Sequence, residues 1–370
     1  MIGTTGTGAG TRTPGAPRVD FGYATRTLRV RGFSVRVSLK PVAVAAALLA
    51  VAVAIAVAAI GIGDHPLGVW EVAAALTGGG EPFHRVIVVE WRLPVAVAVV
   101  VFGALLGLGG AIFQSLTRNP LGSPDVIGFD AGAYTAVVLT ILVVGSRGYW
   151  SIATAAVAGG LAAAFAVYVL AYRRGVQGFR LIIVGIAVSA MLGSVNAYLI
   201  TRAELDDAMA VGFWGAGSVA RVTWEGLVPS LAIAGTVVVA AVLLAPALRR
   251  LELGDDTAVA QGTRPGPVRL GLVVTGVATS ALVTAAAGPI GFVALVAPQL
   301  ARRLTRTPGT GLLPAAAMGA ALLAAAHLLS LVIAQVHRPV PVGLITVCLG
   351  GLYLIRLLVG ETRRRYPGPR

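Results

Sequence analysis

Long apolar runs, separated by short polar breaks, set the pattern of this chain. They fall at 41–62, 93–113, 126–144, 150–172, 181–201, 225–247, 268–287, 311–335 and 340–359, with a shorter one at 290–302. A helix needs about 20 apolar residues to cross a bilayer. The pattern therefore predicts an all-α, polytopic membrane protein with ten transmembrane segments. The short run is bracketed by Gly288-Pro289 and interrupted by Pro298. It reads as a short or broken helix, which a membrane tolerates only where protein or water covers the backbone.

The positions of the basic residues orient this arrangement. With the N-terminus inside, the inner segments carry 23 of the 29 basic residues and the outer loops carry 6. That bias predicts N-in, C-in and an even number of crossings. Removing the short run would put Arg302, Arg303 and Arg306 outside, so the same bias argues for keeping it. Residues 1–40 read as a basic, disordered cytoplasmic tail, 41–360 as one membrane domain, and 361–370 as a second cytoplasmic tail. The run after Lys40 is too long for the apolar region of a signal peptide and reads as an anchor. The outer loop at 63–92 has room for a short surface helix.

Composition excludes one ordinary soluble core. Hydrophobic residues make up 57% of the 370 and charged residues only 12%, against about 25% charged in soluble domains. The net charge of +14 would suggest nucleic acid in a soluble protein. Here basic loops account for it, and no nucleic-acid partner is expected. Cys348 is the single cysteine, so no internal disulfide can form.

Several chemistries lack their residues. A P-loop needs a lysine that reaches the nucleotide phosphates. The one lysine is Lys40, followed by Pro41. ATP would therefore be hydrolysed by another chain. The four histidines, His65, His84, His327 and His337, have no metal-ligand spacing. His327 lies within an apolar run, where a bond to a neighbouring helix competes with a substrate or proton role. The acids fall in loops or near helix ends, as Asp125, Asp130 and Glu225 do, which weakens an ion-coupled secondary carrier as the alternative of a different class.

Three stretches carry information. Gly103, Gly107 and Gly110 form a small-residue face that lets helix backbones approach closely, followed by turns at Asn119-Pro120 and Ser123-Pro124-Asp125. Leu251–Gly262, LELGDDTAVAQG, is a short polar segment on the arginine-rich side, with a turn and helix start at Gly254-Asp255-Asp256-Thr257. Ala287–Arg303 is interrupted at Gly288, Pro289, Gly291 and Pro298, as broken helices in transporters are. One internal echo, Leu116–Pro120 (LTRNP) and Leu304–Pro308 (LTRTP), leaves duplication of two halves open.

Together these stretches resemble the permease subunits of binding-protein-dependent ABC importers for iron-siderophore complexes, haem and vitamin B12. The resemblance rests on Arg92-Leu93-Pro94, the run Gly110–Phe129, LGDDTAVAQG at Leu253–Gly262, the run Gly288–Arg303 and Pro341-Val342-Gly343, in that order. The wording TRNPLGSPDVIGF is similar to the ferric-siderophore, enterobactin-type branch; haem or cobalamin is the alternative within the family. The resemblance implies an inner-membrane permease that catalyses no bond chemistry. Its partners would be two ATPase subunits, a second permease subunit, identical or homologous, and an extracytoplasmic substrate-binding protein. ATP and magnesium would sit on the ATPases and no cofactor on this chain.

It also implies residue roles. Leu253, Gly254, Asp255, Asp256, Thr257, Ala260 and Gly262, within the segment 251–263, would form the ATPase coupling surface. Arg92, with Arg85 and Arg338, would dock the binding protein. Ser115, Asn119, Pro120, Pro124 and Val195 would lie near the path or its gates. The chain departs from the family pattern at Val95, where a second arginine is common, and in the ninth helix, where His327 and Leu331 stand in place of an aspartate and an arginine.

Overall fold

The computed structural model of the chain describes residues 25–30, 33–125, 128–172, 178–306, 309 and 311–365. The chain divides into two units, Met1–Lys40 and Pro41–Arg370. In the first, Thr25–Val30 (β1) and Phe33–Ser38 (β2) pair antiparallel, Thr25 opposite Ser38 and Val30 opposite Phe33. At 25–30 and 33–38 the backbone forms a hairpin where the sequence reading expected a disordered tail. Thr, Val and Phe suit strands, and the interleaved arginines masked that signal. Residues 1–24, also expected to be disordered, lie outside the described residues.

Helices follow in chain order. They are α1 (Leu39–Ile60), α2 (Val69–Leu76), α3 (Pro82–Arg85), a π-helical turn (Val86–Arg92), α4 (Leu93–Thr117), α5 (Phe129–Leu142), α6 (Tyr149–Ala171), α7 (Gly178–Thr201) and α8 (Leu205–Gly215). After a 3₁₀ turn (Val219–Arg221) come α9 (Trp224–Glu252), α10 (Asp255–Ala260), α11 (Pro265–Ala287), α12 (Val293–Thr305), α13 (Leu312–Ala334) and α14 (Val342–Arg365). Each of the ten apolar runs meets one of these helices. In lipid the backbone must satisfy its own polar groups, and a helix does so within the segment.

Among the described residues seven helices are long and apolar enough to cross a membrane: α1, the continuous stretch Pro82–Thr117, α6, Phe179–Thr201 within α7, α9, α11 and α13. Phe129–Leu142 and Val342–Arg356 are shorter apolar helices, and α12 has only 13 residues. The loop at 63–92 holds two short helices, α2 and α3. Helix α9 extends past its apolar run to Glu252, and α14 continues to Arg365, into the segment expected to be a tail.

Helix α4 is the centre of the second unit, with Phe102, Leu105, Leu106, Ile112 and Phe113 fully buried. Its glycine face explains how its neighbours come so near. A Cβ at Gly103 would lie 2.5 Å from the Gly319 carbonyl oxygen. One at Gly107 would strike the Ala315 carbonyl, and one at Gly110 the Ala294 carbonyl. Advancing four residues on α4 retreats four on α13, so the two helices run antiparallel. Small residues let backbones touch in this way.

Two of the three non-glycine residues with positive φ among the described residues are Arg118 (50°) and Arg306 (52°). They cap α4 and α12 at equivalent places in the LTRNP and LTRTP echoes. The echo is therefore one of backbone conformation as well as sequence.

Candidate functional site

The polar segment between α9 and α11 folds as predicted, into one short helix. Gly254, at φ 117°, turns the chain out of α9, and Gly262, at φ 76°, turns it toward α11. Both angles suit glycine. Ala258 is fully buried and seats α10. Leu253, Asp256, Thr257, Val259, Ala260, Gln261 and Gly262 are exposed. Leu253 and Val259 leave large apolar side chains exposed.

Asp255 and Asp256 separate. The Arg269 guanidinium donates to both Asp255 carboxylate oxygens, at 2.7 and 2.9 Å. Arg118 donates to the same carboxylate at 3.2 Å and to the Leu251 carbonyl at 2.8 Å. Asp255 thus ties α10 to the cap of α4 and to α11, while Asp256 faces outward. Arg250 steadies the exit turn by donating to Thr263 at 3.3 Å.

The tie continues inward. Ser115 donates to Glu252 at the end of α9. Buried Gln114 donates to the Leu295 carbonyl at 2.8 Å and accepts from Arg302 at 3.3 Å. Gln299 donates to the Pro120 carbonyl at 2.8 Å and accepts from Tyr353 at 3.3 Å. Arg303 lies 5.4 Å over the Tyr353 ring. The turn after α4, the surface of α10, α12 and α14 are therefore one hydrogen-bonded group. Asn119 shapes that turn by accepting from the Leu121 amide at 2.9 Å, and Pro124 is buried beside it. Sequence reasoning missed Arg118, Arg269, Gln114, Gln299 and Tyr353. Only the paired polar residues in apolar surroundings hinted at them.

Arg92 lies at the other end of α4, about 40 Å away at 1.5 Å per residue. It donates to the Ile60 carbonyl and to the His65 carbonyl, each at 2.7 Å. It therefore closes the C-terminus of α1 and pins the start of the loop that follows. Arg92 also lines a cavity of about 330 Å³ with Asp64, His65, Trp91, His327 and Leu331. His327 is buried at this cavity. Arg85 and Arg338 are exposed. Arg338 follows the C-terminus of α13, which the antiparallel packing brings to the same end as Arg92.

The interruption at 288–292 is a junction. A Cβ at Gly288 (φ 73°) would meet the Trp214 carbonyl, and one at Gly217 (φ 66°) the Pro289 carbonyl. The Ser218 amide donates to the Ala287 carbonyl at 2.7 Å, and the Gly343 amide donates to the Gly217 carbonyl at 3.0 Å. Gly291 differs, since a Cβ there would meet its nearest neighbour at 3.7 Å. Pro298 lies buried inside α12. Val195 is 44% exposed on α7, beside exposed Met191 and Tyr198. Exposed Leu344, Val347, Leu352 and Ile355 line α14.

The profile of the FecCD transport family matches residues 47–360. The chain is 46% identical over 297 residues to the ferric enterobactin transport system permease protein FepG of Escherichia coli (strain K12), covering 80% of this chain and 89% of that one. It is 33% identical over 310 residues to the probable siderophore transport system permease protein YfhA of Bacillus subtilis (strain 168), with the same coverage. To the hemin transport system permease protein HmuU of Yersinia pestis it is 31% identical over 280 residues, covering 74% of this chain and 83% of that one. A solved inward-facing ABC transporter of metal-chelate type shares the fold, with a TM-score of 0.73 at 23% identity, covering 86% of this chain and 99% of that one.

Proposed function

Because this chain belongs to the FecCD transport family, we propose that it is the membrane permease of a binding-protein-dependent ABC importer for a ferric siderophore. The carrying observation is its 46% identity to the ferric enterobactin permease over 89% of that protein. The chain crosses the inner membrane ten times with both ends in the cytoplasm. The basic bias supports this, as does the match of each apolar run to a helix. Helices α5 and α14 and the short α12 complete the count begun by the seven long spans.

Two ATPase subunits bind ATP and magnesium, and one docks on the exposed side of α10. A second permease subunit covers the apolar faces of α7 and α14, which the single chain leaves open, and the path lies between the two. Val195 stands on that face. The binding protein docks at the Arg92 end through Arg85 and Arg338, with Arg92 holding the start of the loop that carries Arg85. ATP-driven closure of the ATPases moves α10. The Asp255–Arg118 tie and the Gln114–Arg302 and Gln299–Tyr353 bonds carry that movement to α12 and α14. Broken helices are where transporters place such movement.

Deleting the chain in its host and measuring uptake of labelled ferric enterobactin and of hemin tests the reading. Loss of siderophore uptake, restored by the intact chain, is expected. Unchanged siderophore uptake, or loss of hemin uptake alone, would overturn it.

A further inference from the structure

The family match begins at residue 47, so the β1–β2 hairpin lies outside it and the transport reading gives it no task. Its register sorts its residues into two sets, because alternate strand positions share a face. One set pairs Arg26 with Val37, Leu28 with Val35 and Val30 with Phe33. The other pairs Thr25 with Ser38, Thr27 with Arg36 and Arg29 with Ser34. Five of six residues on the first face are apolar, and all six on the second are polar or basic. A lone two-stranded hairpin is marginal in water and needs a surface for its apolar face.

We propose that this hairpin is a membrane-surface anchor that lies on the anionic headgroups of the cytoplasmic leaflet, apolar set inward. Two observations choose that occupant. Residues 1–40 hold seven basic residues against the single acid Asp20. Anionic lipid of the inner leaflet attracts such segments next to a membrane helix. In addition, β2 ends at Ser38 and α1 begins at Leu39, so no linker separates the hairpin from the first apolar run in the sequence. An amphipathic element there gains both apolar burial and electrostatic attraction.

The inference rests on the N-in orientation, and the test separates the two. Single cysteines are placed by Phe33→Cys, Ser34→Cys, Val35→Cys, Arg36→Cys and Val37→Cys in the full chain carrying Cys348→Ser. Each is spin-labelled in nanodiscs of phosphatidylglycerol with phosphatidylcholine, and in phosphatidylcholine alone. Accessibility to oxygen and to a water-soluble nickel chelate is then read. The expected result alternates, with 33, 35 and 37 lipid-exposed and 34 and 36 water-exposed. The alternation should be lost in pure phosphatidylcholine, or when Arg29→Glu and Arg36→Glu are added. Uniform water exposure in anionic nanodiscs overturns the proposal. So does alternation indifferent to lipid charge, or shielding that appears only when the ATPase is added. An impermeant thiol reagent on intact cells tests orientation separately. Labelling of Ser34→Cys from outside would refute the cytoplasmic placement, whatever the nanodiscs show.

Discussion

Removing the Asp255 carboxylate charge should loosen α10 without touching its outer surface. In Asp255→Asn the side chain keeps its shape and loses its ionic hold on Arg269 and Arg118. Three contacts are at stake, at 2.7, 2.9 and 3.2 Å. A hydrogen bond to a charged group is worth about 1.5–3 kcal/mol, and an exposed ion pair only about 0–1 kcal/mol. Asp255 is 44% exposed, Arg118 51% and Arg269 23%, so the lower range governs. The group should contribute about 1–2 kcal/mol, which corresponds to a factor of about 5–30 in the population of undocked α10. Local opening of this kind is read by hydrogen exchange. In Asp255→Asn the amides of 251–263 should exchange about 5–30 times faster than in the parent, while the middle of α4 stays unchanged. Asp256→Asn should leave exchange alone and instead weaken ATPase association. Exchanging the charges, as Asp255→Arg with Arg269→Asp, should recover part of the protection. Equal exchange in Asp255→Asn and the parent protein would refute the internal role of this aspartate.

Other substitutions test the rest of the arrangement. Gly110→Ala drives a methyl into the Ala294 carbonyl and should cost about 1–3 kcal/mol or more; Gly193→Ala, with nothing within 4 Å, should match the parent in detergent thermal stability and uptake. Arg92→Lys cannot hold two carbonyls in a fork, so limited proteolysis should cut the loop at 61–67 faster. Arg85→Ala and Arg338→Ala should each weaken binding-protein affinity by at most about fivefold, the range of an exposed pair, and the loss should shrink at high salt. Trp214→Ala removes a stack on Tyr134 at 6.2 Å, worth about 0.5–1.5 kcal/mol, and should speed hydrogen exchange in α8.

The helices were legible because lipid imposes one rule, an apolar run about 20 residues long, and each of the ten runs met a helix. The glycines of α4 were legible for a related reason, since small residues in lipid mean close backbones. The same rule treated Gly291 like Gly110, although only Gly110 lies against another backbone. Spacing cannot say which small residue faces a neighbour.

The site was less legible. Asp255 and Asp256 are adjacent and chemically identical, so their division of labour depends on Arg118, 137 positions away in the chain. Arg92 stood out in a motif, but its two carbonyl partners come from backbone, which carries no sequence signal. The hairpin escaped because arginine and glycine diluted its alternation below what a span-length reading detects. The LTRNP and LTRTP echo, read from the sequence only as leaving duplication open, falls on two equivalent left-handed caps at Arg118 and Arg306, a conformation uncommon outside glycine.

The central claim is that this chain is the passive membrane half of an ATP-driven importer. Its most direct test is uptake of labelled ferric siderophore into proteoliposomes holding this permease, its ATPases and the binding protein. The account predicts uptake that needs ATP and all three components and persists when ion gradients are dissipated. Uptake by this chain alone, driven by an ion gradient, would contradict it.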